Sequence, residues 1–548
     1  MRSCLTGLEP GRLVRAPCRD VPERRGEDAP ISSAWAFRAG LGLLLLGVAC
    51  RMLVYFLSFP IWRDEAALAL NFVSRDFRGL LNELDNFQVA PLLFLWIEKA
   101  IYQLAGLSVQ GLRLVPLVAG VAALVLFWRL ARLCLEPLPA ALAVGFLAVA
   151  QVPIHLASMI KPYSIDLFAA VLLLWLAIRL LRAPQRSGCL PALAIVTPFL
   201  VTSSYPAIFV AGSVSLVLLP VVWRHGDRAD RIGFVAFNIL CMATFAAHLR
   251  FVGREGHDPT LPTVEAYMAG FWKMGLLPHK PMPTLRWLGH AHTGHLFSYP
   301  LEFNGGGLLG LLLILAGVHA LYRQRRLSLL GLCLLPLAFN FAAAVLRRYP
   351  YGGDQRLEQH LVPGICLLLG SGAAEVTRRL PMMRRLGAAI VTGFFVLIGL
   401  AGFTSDVLHP YHDVEAAWAA DIAQHLRSEV HPQDRILLPH SERFTLNCLR
   451  WQLLPFGQQV CTTDAIDWIH LGQINGRLWF VDQRTEQAPA VHEPPVRDPL
   501  ALSPLSLIAK WHTIHRERFL VSEPNTGSPL LFYFCCDLHV LVHGKSPI

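Results

Sequence analysis

Ile61-Trp62-Arg63-Asp64-Glu65-Ala66-Ala67-Leu68-Ala69-Leu70-Asn71 follows directly on the first long apolar run of this chain. It sets two adjacent carboxylates, Asp64 and Glu65, at the edge of a membrane. Carboxylates this close to hydrocarbon are costly to desolvate, and charges kept at such depth usually serve binding or chemistry. A lone acidic residue at a helix end is ordinarily just solvated. What separates this pair from that case is the set of polar segments that follow it.

The chain has 548 residues, 54% hydrophobic and 16% charged, with a mean hydropathy of +0.46. Soluble domains carry nearer 25% charge, so most of this chain is built to dissolve in lipid. The net charge of +10 does not imply nucleic acid, because cytoplasmic loops of membrane proteins collect Arg and Lys. No Lys-rich tract or aromatic-basic RNA motif is present. The 12 Cys form no CxxC pair, and most sit in apolar runs, where a thiol behaves as a small hydrophobe. Cys448, Cys461, Cys535 and Cys536 fall in the C-terminal segment and are disulfide candidates if it is extracytoplasmic.

Residues 1–38 are polar and Arg-rich and contain Pro10, Pro17, Pro22 and Pro30. The apolar run after them starts too late and runs too long for a cleaved signal peptide, so a cytoplasmic tail and a retained anchor are expected. Spans of about 20 apolar residues are expected near 40–59, 112–130, 139–158, 165–181, 190–203, 206–223, 232–249, 306–322, 327–346, 360–376 and 386–404, about eleven in all. The segment 91–105 is apolar but short, with Glu98 and Lys99 near its middle. It is placed flat in the interface, since as a span it would carry both charges to the bilayer centre.

Parity supports that placement. It puts Arg129/Arg132, Arg179/Arg182/Arg186, Arg224/Arg228/Arg231, Arg323/Arg325/Arg326 and Arg378/Arg379/Arg384/Arg385 on one side with the basic N-terminus. That side is the cytoplasm by the positive-inside rule, and the C-terminus lies outside. Four outer segments then share a compartment: 60–111, the corner 159–164, 250–305 and 347–359.

These segments hold the unusual residues. Gln88 leads to Ala90-Pro91. The second corner, Ser158-Met159-Ile160-Lys161-Pro162-Tyr163-Ser164-Ile165-Asp166, places a cation, a phenol and a carboxylate where Pro162 interrupts the backbone. The fourth segment reads Arg347-Arg348-Tyr349-Pro350-Tyr351-Gly352-Gly353-Asp354-Gln355-Arg356-Leu357-Glu358-Gln359-His360. Gly352-Gly353 permits a tight turn, and Arg356 and His360, four apart, share a face if helical. Arg forks suit phosphate, and Lys161, Arg356 and Arg347 or Arg348 offer cations to a lipid-phosphate leaving group. An attacking hydroxyl needs a base, for which Asp64 or Glu65 serves. Anchoring to lipid headgroups is the alternative use of the basic loop.

WRDEAALALN from Trp62, QVAP from Gln88, KPYSID from Lys161 and YPYGGDQRLEQHLVP from Tyr349, in this order, resemble the GT-C superfamily of integral-membrane glycosyltransferases. The resemblance covers about residues 36–405 and is nearest the bacterial branch akin to protein O-mannosyltransferases and lipid A aminoarabinose transferases. It implies an all-α polytopic fold with interfacial helices in the first outer loop, in a bacterial inner membrane. It further implies a polyprenyl-phosphate-linked sugar donor, an extracytoplasmic acceptor and inversion at the anomeric carbon. Asp64 is the implied catalytic carboxylate, with Glu65 beside it. Where aminoarabinose transferases carry a Lys-Pro-Pro-type stretch, this chain reads Gln88-Val89-Ala90-Pro91.

On this reading Lys161, Arg356 and His360 hold the donor phosphate, while Arg51, Asp166, Tyr163 and Gln88 support the site. Arg51 lies inside the first span and needs a partner, for which Asp166 is the candidate. The outer loop carries His257, His279, His290, His292 and His295. His290, His292 and His295 offer ligands for a divalent cation, but no Cys or acid stands near; no metal residues are assigned, and a divalent cation stays open as the one candidate cofactor. Trp272 and Trp287 read as interface anchors, with sugar stacking as the alternative. The rival reading from another class is a transporter or flippase of a lipid-linked sugar, which predicts repeated halves and helices broken at mid-membrane.

From Ser405 the apolar runs cease. A helix near 414–428 and strands near 434–438, 478–482 and 530–534 predict a small extracytoplasmic α/β domain over 406–548, after a membrane domain over 39–405. The Pro-rich stretch 488–504 reads as a loop.

Overall fold

A computed structural model of the chain describes residues 33–182, 188–251, 264–300, 306–379, 384–408, 414–438, 446–462, 477–487, 511–522 and 532–543. Residues 1–32 of the basic tail, His257 and the stretch 488–504 lie outside them.

The first half runs α1 (Ser33–Leu57), α2 (Arg63–Ser74), α3 (Leu92–Ala105), α4 (Val109–Cys134), α5 (Pro137–Ala148), α6 (Gln151–Leu156), α7 (Tyr163–Arg182), α8 (Cys189–Ser203), α9 (Ala207–His225) and α10 (Arg228–Phe251). Then come α11 (Val264–Phe271), α12 (Pro281–Thr293), α13 (Gly306–Arg323), α14 (Leu327–Val345), α15 (Val362–Arg379) and α16 (Arg384–Leu408). Among the described residues eight helices are long and apolar enough to cross a membrane: α1, α4, α7, α9, α10, α13, α14 and α16. The other three expected spans correspond to α5, α8 and α15. The span expected over 139–158 is split, because α5 ends at Ala148 and α6 restarts at Gln151. Every α5 residue from Leu138 to Ala148 is buried, so this helix is surrounded by protein and is freed from spanning lipid on its own.

Close helix contacts depend on glycine. A Cβ at Gly47 would lie 2.8 Å from Ala148 Cα, so α1 can approach α5 only through this bare position. A Cβ at Gly372 of α15 would meet Leu313 O of α13 at 1.9 Å, which is backbone-to-backbone packing of the kind small residues permit in membranes.

Helix α3, with 14 residues, is about 21 Å long at 1.5 Å per residue, short of the ~30 Å hydrocarbon core. Its charges are covered by protein. Lys99 Nζ donates to Phe72 O of α2 at 2.7 Å, and Glu98 is fully buried with no hydrogen-bond partner on either carboxylate oxygen. Burial pushes the Glu98 carboxyl well above its usual range.

Beyond the bundle lie α17 (Val414–Glu429), α18 (Asn447–Leu453) and the strands β1 (Arg435–Leu438), β2 (Val460–Thr462), β3 (Leu478–Gln487), β4 (Trp511–Ser522) and β5 (Phe532–His543). They form one sheet of order β2-β1-β3-β5-β4. β1 runs parallel to β2 and β3, and β5 pairs antiparallel with β3 and β4. Trp418, Ile422 and Leu426 of α17 pack on Ile436, Leu438, Trp479 and Val481. Cys448 is buried, while the side chains of Cys461, Cys535 and Cys536 lie outside the described residues. The domain also reaches the bundle, since Trp451 of α18 is buried in one cluster with Ile61, Leu68 and Phe72.

Candidate active site

Asp64 and Glu65 occupy the first turn of α2, where carboxylates complement the free N–H groups and the helix dipole. Glu65 turns back to accept the Trp62 N–H at 3.1 Å, half of a capping box. Its oxygens also accept from Arg113 Nε at 3.0 Å and Nη2 at 2.7 Å, and from Ile160 N at 2.7 Å. Arg113 further donates to Phe59 O at 2.6 Å and Pro60 O at 3.3 Å. Glu65 and Arg113 are 2% and 4% exposed. Glu65, expected to assist chemistry, is thus saturated by four donors and ties α2 to α4 and to the 160–161 corner.

That knot places the next residues along each strand of chain face to face. Lys161 Nζ lies 3.0 Å from Asp64 Oδ2 and donates to Gln88 Oε1 at 2.6 Å. Gln88 Nε2 lies 3.4 Å from Asp64 Oδ1, closing a triangle. Burial pushes the Asp64 carboxyl upward, but Lys161, Arg356 and Gln88 together hold it below the usual carboxylate range. Burial lowers Lys161, and Asp64 opposes it only in part. The pair is an ionised carboxylate beside a buried ammonium.

Arg356 completes the cationic side. Its guanidinium stacks over the Trp62 ring, 5.2 Å from the centroid, and forks onto Asp354 at 2.6 to 3.1 Å. Asp354 is the N-cap of the 3₁₀ turn Gln355–Glu358, accepting the Arg356 N–H at 2.9 Å. Tyr163 lies within electrostatic range of Asp64, Arg356, Asp354 and Asp166. Asp64, Lys161, Arg356, Tyr163 and Gln88 therefore converge.

Three expectations are corrected. Arg51 does not pair with Asp166. It is fully buried and donates to Gly47 O at 2.9 Å, Ala148 O at 3.1 Å and Leu147 O at 3.3 Å, so it caps the carbonyl end of α5, where a cation is favoured. His360 is not a phosphate cation. The segment is a 3₁₀ turn rather than an α-helix, so Arg356 and His360 part company. His360 is 1% exposed, and burial pulls it down to about 3. Trp287 is no interface anchor: it is buried, and its Nε1 donates to Met274 O at 2.9 Å.

The histidine run gathers no ligand set. His292 engages Leu288 O at 2.8 Å through Nδ1 and the Tyr351 hydroxyl at 3.0 Å through Nε2. No group of three His, Cys, Asp or Glu side chains fit for a metal occurs among the described residues. Arg113 was missed in the sequence. Its signal was the one that flagged Arg51, an Arg just inside an apolar run.

Comparisons with known proteins bear on the fold. The family described as dolichyl-phosphate-mannose-protein mannosyltransferase matches residues 89–251, from the approach to α3 through α10. That stretch includes Lys161 but neither Asp64 nor Arg356. Two crystal structures of ArnT from Cupriavidus metallidurans share the fold. The apo state has a TM-score of 0.52 and 14% identity over 91% of this chain and 98% of that one. The form bound to undecaprenyl phosphate has 0.53 and 14% over 92% and 98%. No curated protein matches the chain by sequence.

Proposed function

We propose that this chain, whose fold is that of the GT-C membrane glycosyltransferases, moves a sugar from a polyprenyl-phosphate carrier to an acceptor hydroxyl. The observation that carries the proposal is the contact of the half-buried Asp64 with the buried Lys161, 3.0 Å apart, with the Arg356 guanidinium alongside. Asp64 accepts the acceptor proton, or orients that hydroxyl, as its oxygen attacks the anomeric carbon. The bond from that carbon to the carrier phosphate breaks on the opposite face, which inverts the centre. The departing phosphate gains a second negative charge, and Lys161 and Arg356 are the cations placed to stabilise it. Arg356 reaches it by exchanging its fork from Asp354.

Two further supports bear on donor and orientation. The ArnT crystal form holds undecaprenyl phosphate, a lipid phosphate of the class proposed here. The helices α4, α7 and α9 begin at the site and end in Arg132, Arg179/Arg182 and Arg224, so the site faces away from the basic ends. By the positive-inside rule it opens to the extracytoplasmic side, with the C-terminal domain over 406–548 beside it.

The test is sugar release from radiolabelled polyprenyl-phosphate sugars by purified protein in liposomes with candidate acceptors. Release by wild type and its loss in Asp64→Asn supports the assignment. Labelled lipid crossing the bilayer without release would replace it with the flippase.

A further inference from the structure

We infer that Asp354 is a positioning residue for product release: it competes with the carrier phosphate for Arg356, and by recapturing the guanidinium it lets go the phosphate that transfer leaves behind. The inference rests on the lipid-phosphate donor reading above and deepens it at that same site.

The contact is built as a fork. Arg356 Nε lies 3.1 and 2.9 Å from the two Asp354 carboxylate oxygens, and Nη2 donates to Oδ2 at 2.6 Å. A guanidinium gives a phosphate the same planar two-point grip, so carboxylate and phosphate compete for one set of N–H groups. Asp354 stays in place when the fork opens, because its Oδ1 also accepts the Arg356 backbone N–H at 2.9 Å as the N-cap of the turn Gln355–Glu358. The guanidinium has a second support in the Trp62 ring, 5.2 Å from its centroid. That attraction holds the cation without using its N–H groups.

Exposure decides which pair can open. Arg356 and Asp354 are 25% and 28% exposed, and an ion pair reached by water is weak beside one sealed from it. Glu65 and Arg113 are buried together. The buried Lys161 is held by Asp64 and Gln88. Of the two cations offered to the phosphate, Arg356 is therefore the one that exchanges.

Charge makes the exchange useful. The carrier phosphate is a diester with one negative charge in the donor, and a monoester with up to two after transfer. Once Asp64 holds the acceptor proton, its charge no longer offsets Lys161 and Arg356. The groups that stabilise the departing phosphate then hold the product tighter than the donor, and a product held that way slows turnover. Asp354 keeps a negative charge beside Arg356 through this step and draws the guanidinium back.

The experiment uses full-length protein in nanodiscs, undecaprenyl phosphate as the product probe, and the variants Asp354→Asn and Asp354→Ser. Both remove the charge and keep an oxygen for the N-cap of the turn, and using two guards against misfolding of either. Each should bind undecaprenyl phosphate at least ~10-fold tighter than wild type, about 1.4 kcal/mol. With a polyprenyl-phosphate sugar and an acceptor, kcat and KM should fall together, and the single-turnover rate should fall by less than kcat. The proposal is overturned if the variants hold the bare carrier no tighter than wild type, if turnover stays as fast despite tighter binding, or if the single-turnover rate falls in step with kcat. Wild type that binds no undecaprenyl phosphate would overturn the donor reading itself and this proposal with it.

Discussion

Arg113 grips both oxygens of Glu65, at 3.0 and 2.7 Å, and Ile160 N–H donates to the same carboxylate at 2.7 Å. Three chain segments meet there, and Asp64 and Lys161 are each one residue from the knot. Glu65 is a positioning residue on this geometry. Arg113→Ala strands a buried carboxylate and should cost about 3–5 kcal/mol of stability. Glu65→Gln keeps an acceptor for Ile160 N–H and should cost less. Thermal unfolding in detergent checks the order; an Arg113→Ala protein as stable as wild type would reduce the knot to a surface-grade ion pair.

Asp64→Asn preserves shape and removes the proposed proton acceptor. Transfer should fall at least ~10²-fold, the low end for general acid–base groups, while some stability is also lost, because the buried Lys161 keeps its Gln88 partner but loses its counter-charge. Single-turnover rates and a melt on the same preparation separate chemistry from folding.

The Asp64 carboxyl sits below its usual range because Lys161 and Arg356 outweigh burial. Activity should therefore persist into mildly acidic solution and fall only as pH drops through that depressed value. Lys161→Met removes the main opposing charge and leaves burial, which raises the carboxyl. The acidic limb of kcat/KM should move to higher pH in that variant, along with a lower plateau. A limb that stays in place would show that another group controls it.

Glu358 runs the other way. Burial raises it from 4.5 to about 8, so its protonated form is favoured in the fold. A raised carboxyl contributes stability that is full below about 4.5 and declines as pH rises toward about 8. Glu358→Gln keeps a neutral acceptor for Gly352 N–H and should flatten the loss of melting temperature between about pH 4.5 and 8.

Trp451 joins the C-terminal segment to α2 and the turn before it through Ile61, Leu68 and Phe72. Trp451→Ala should cost about 3–5 kcal/mol as a core truncation and lower kcat more than KM, because α2 carries Asp64. Steady-state kinetics across temperature would show it.

Much of this was legible in the residue order. Apolar runs, the bias of Arg to alternate loops and the polar corners at 61–71, 158–166 and 347–360 are local properties, and the lipid environment enforces them residue by residue. They were enough to select the GT-C fold and to bring forward Asp64, Lys161 and Arg356. Which buried charge finds which partner is not local. Gly47 lets α1 touch α5, and so Arg51 caps Leu147 and Ala148 instead of meeting Asp166. A 3₁₀ turn instead of an α-helix sends His360 inward, away from Arg356. Arg113 takes Glu65 across 48 residues of chain. Burial and pairing energies depend on packing between distant segments, and only the tertiary structure decides that packing.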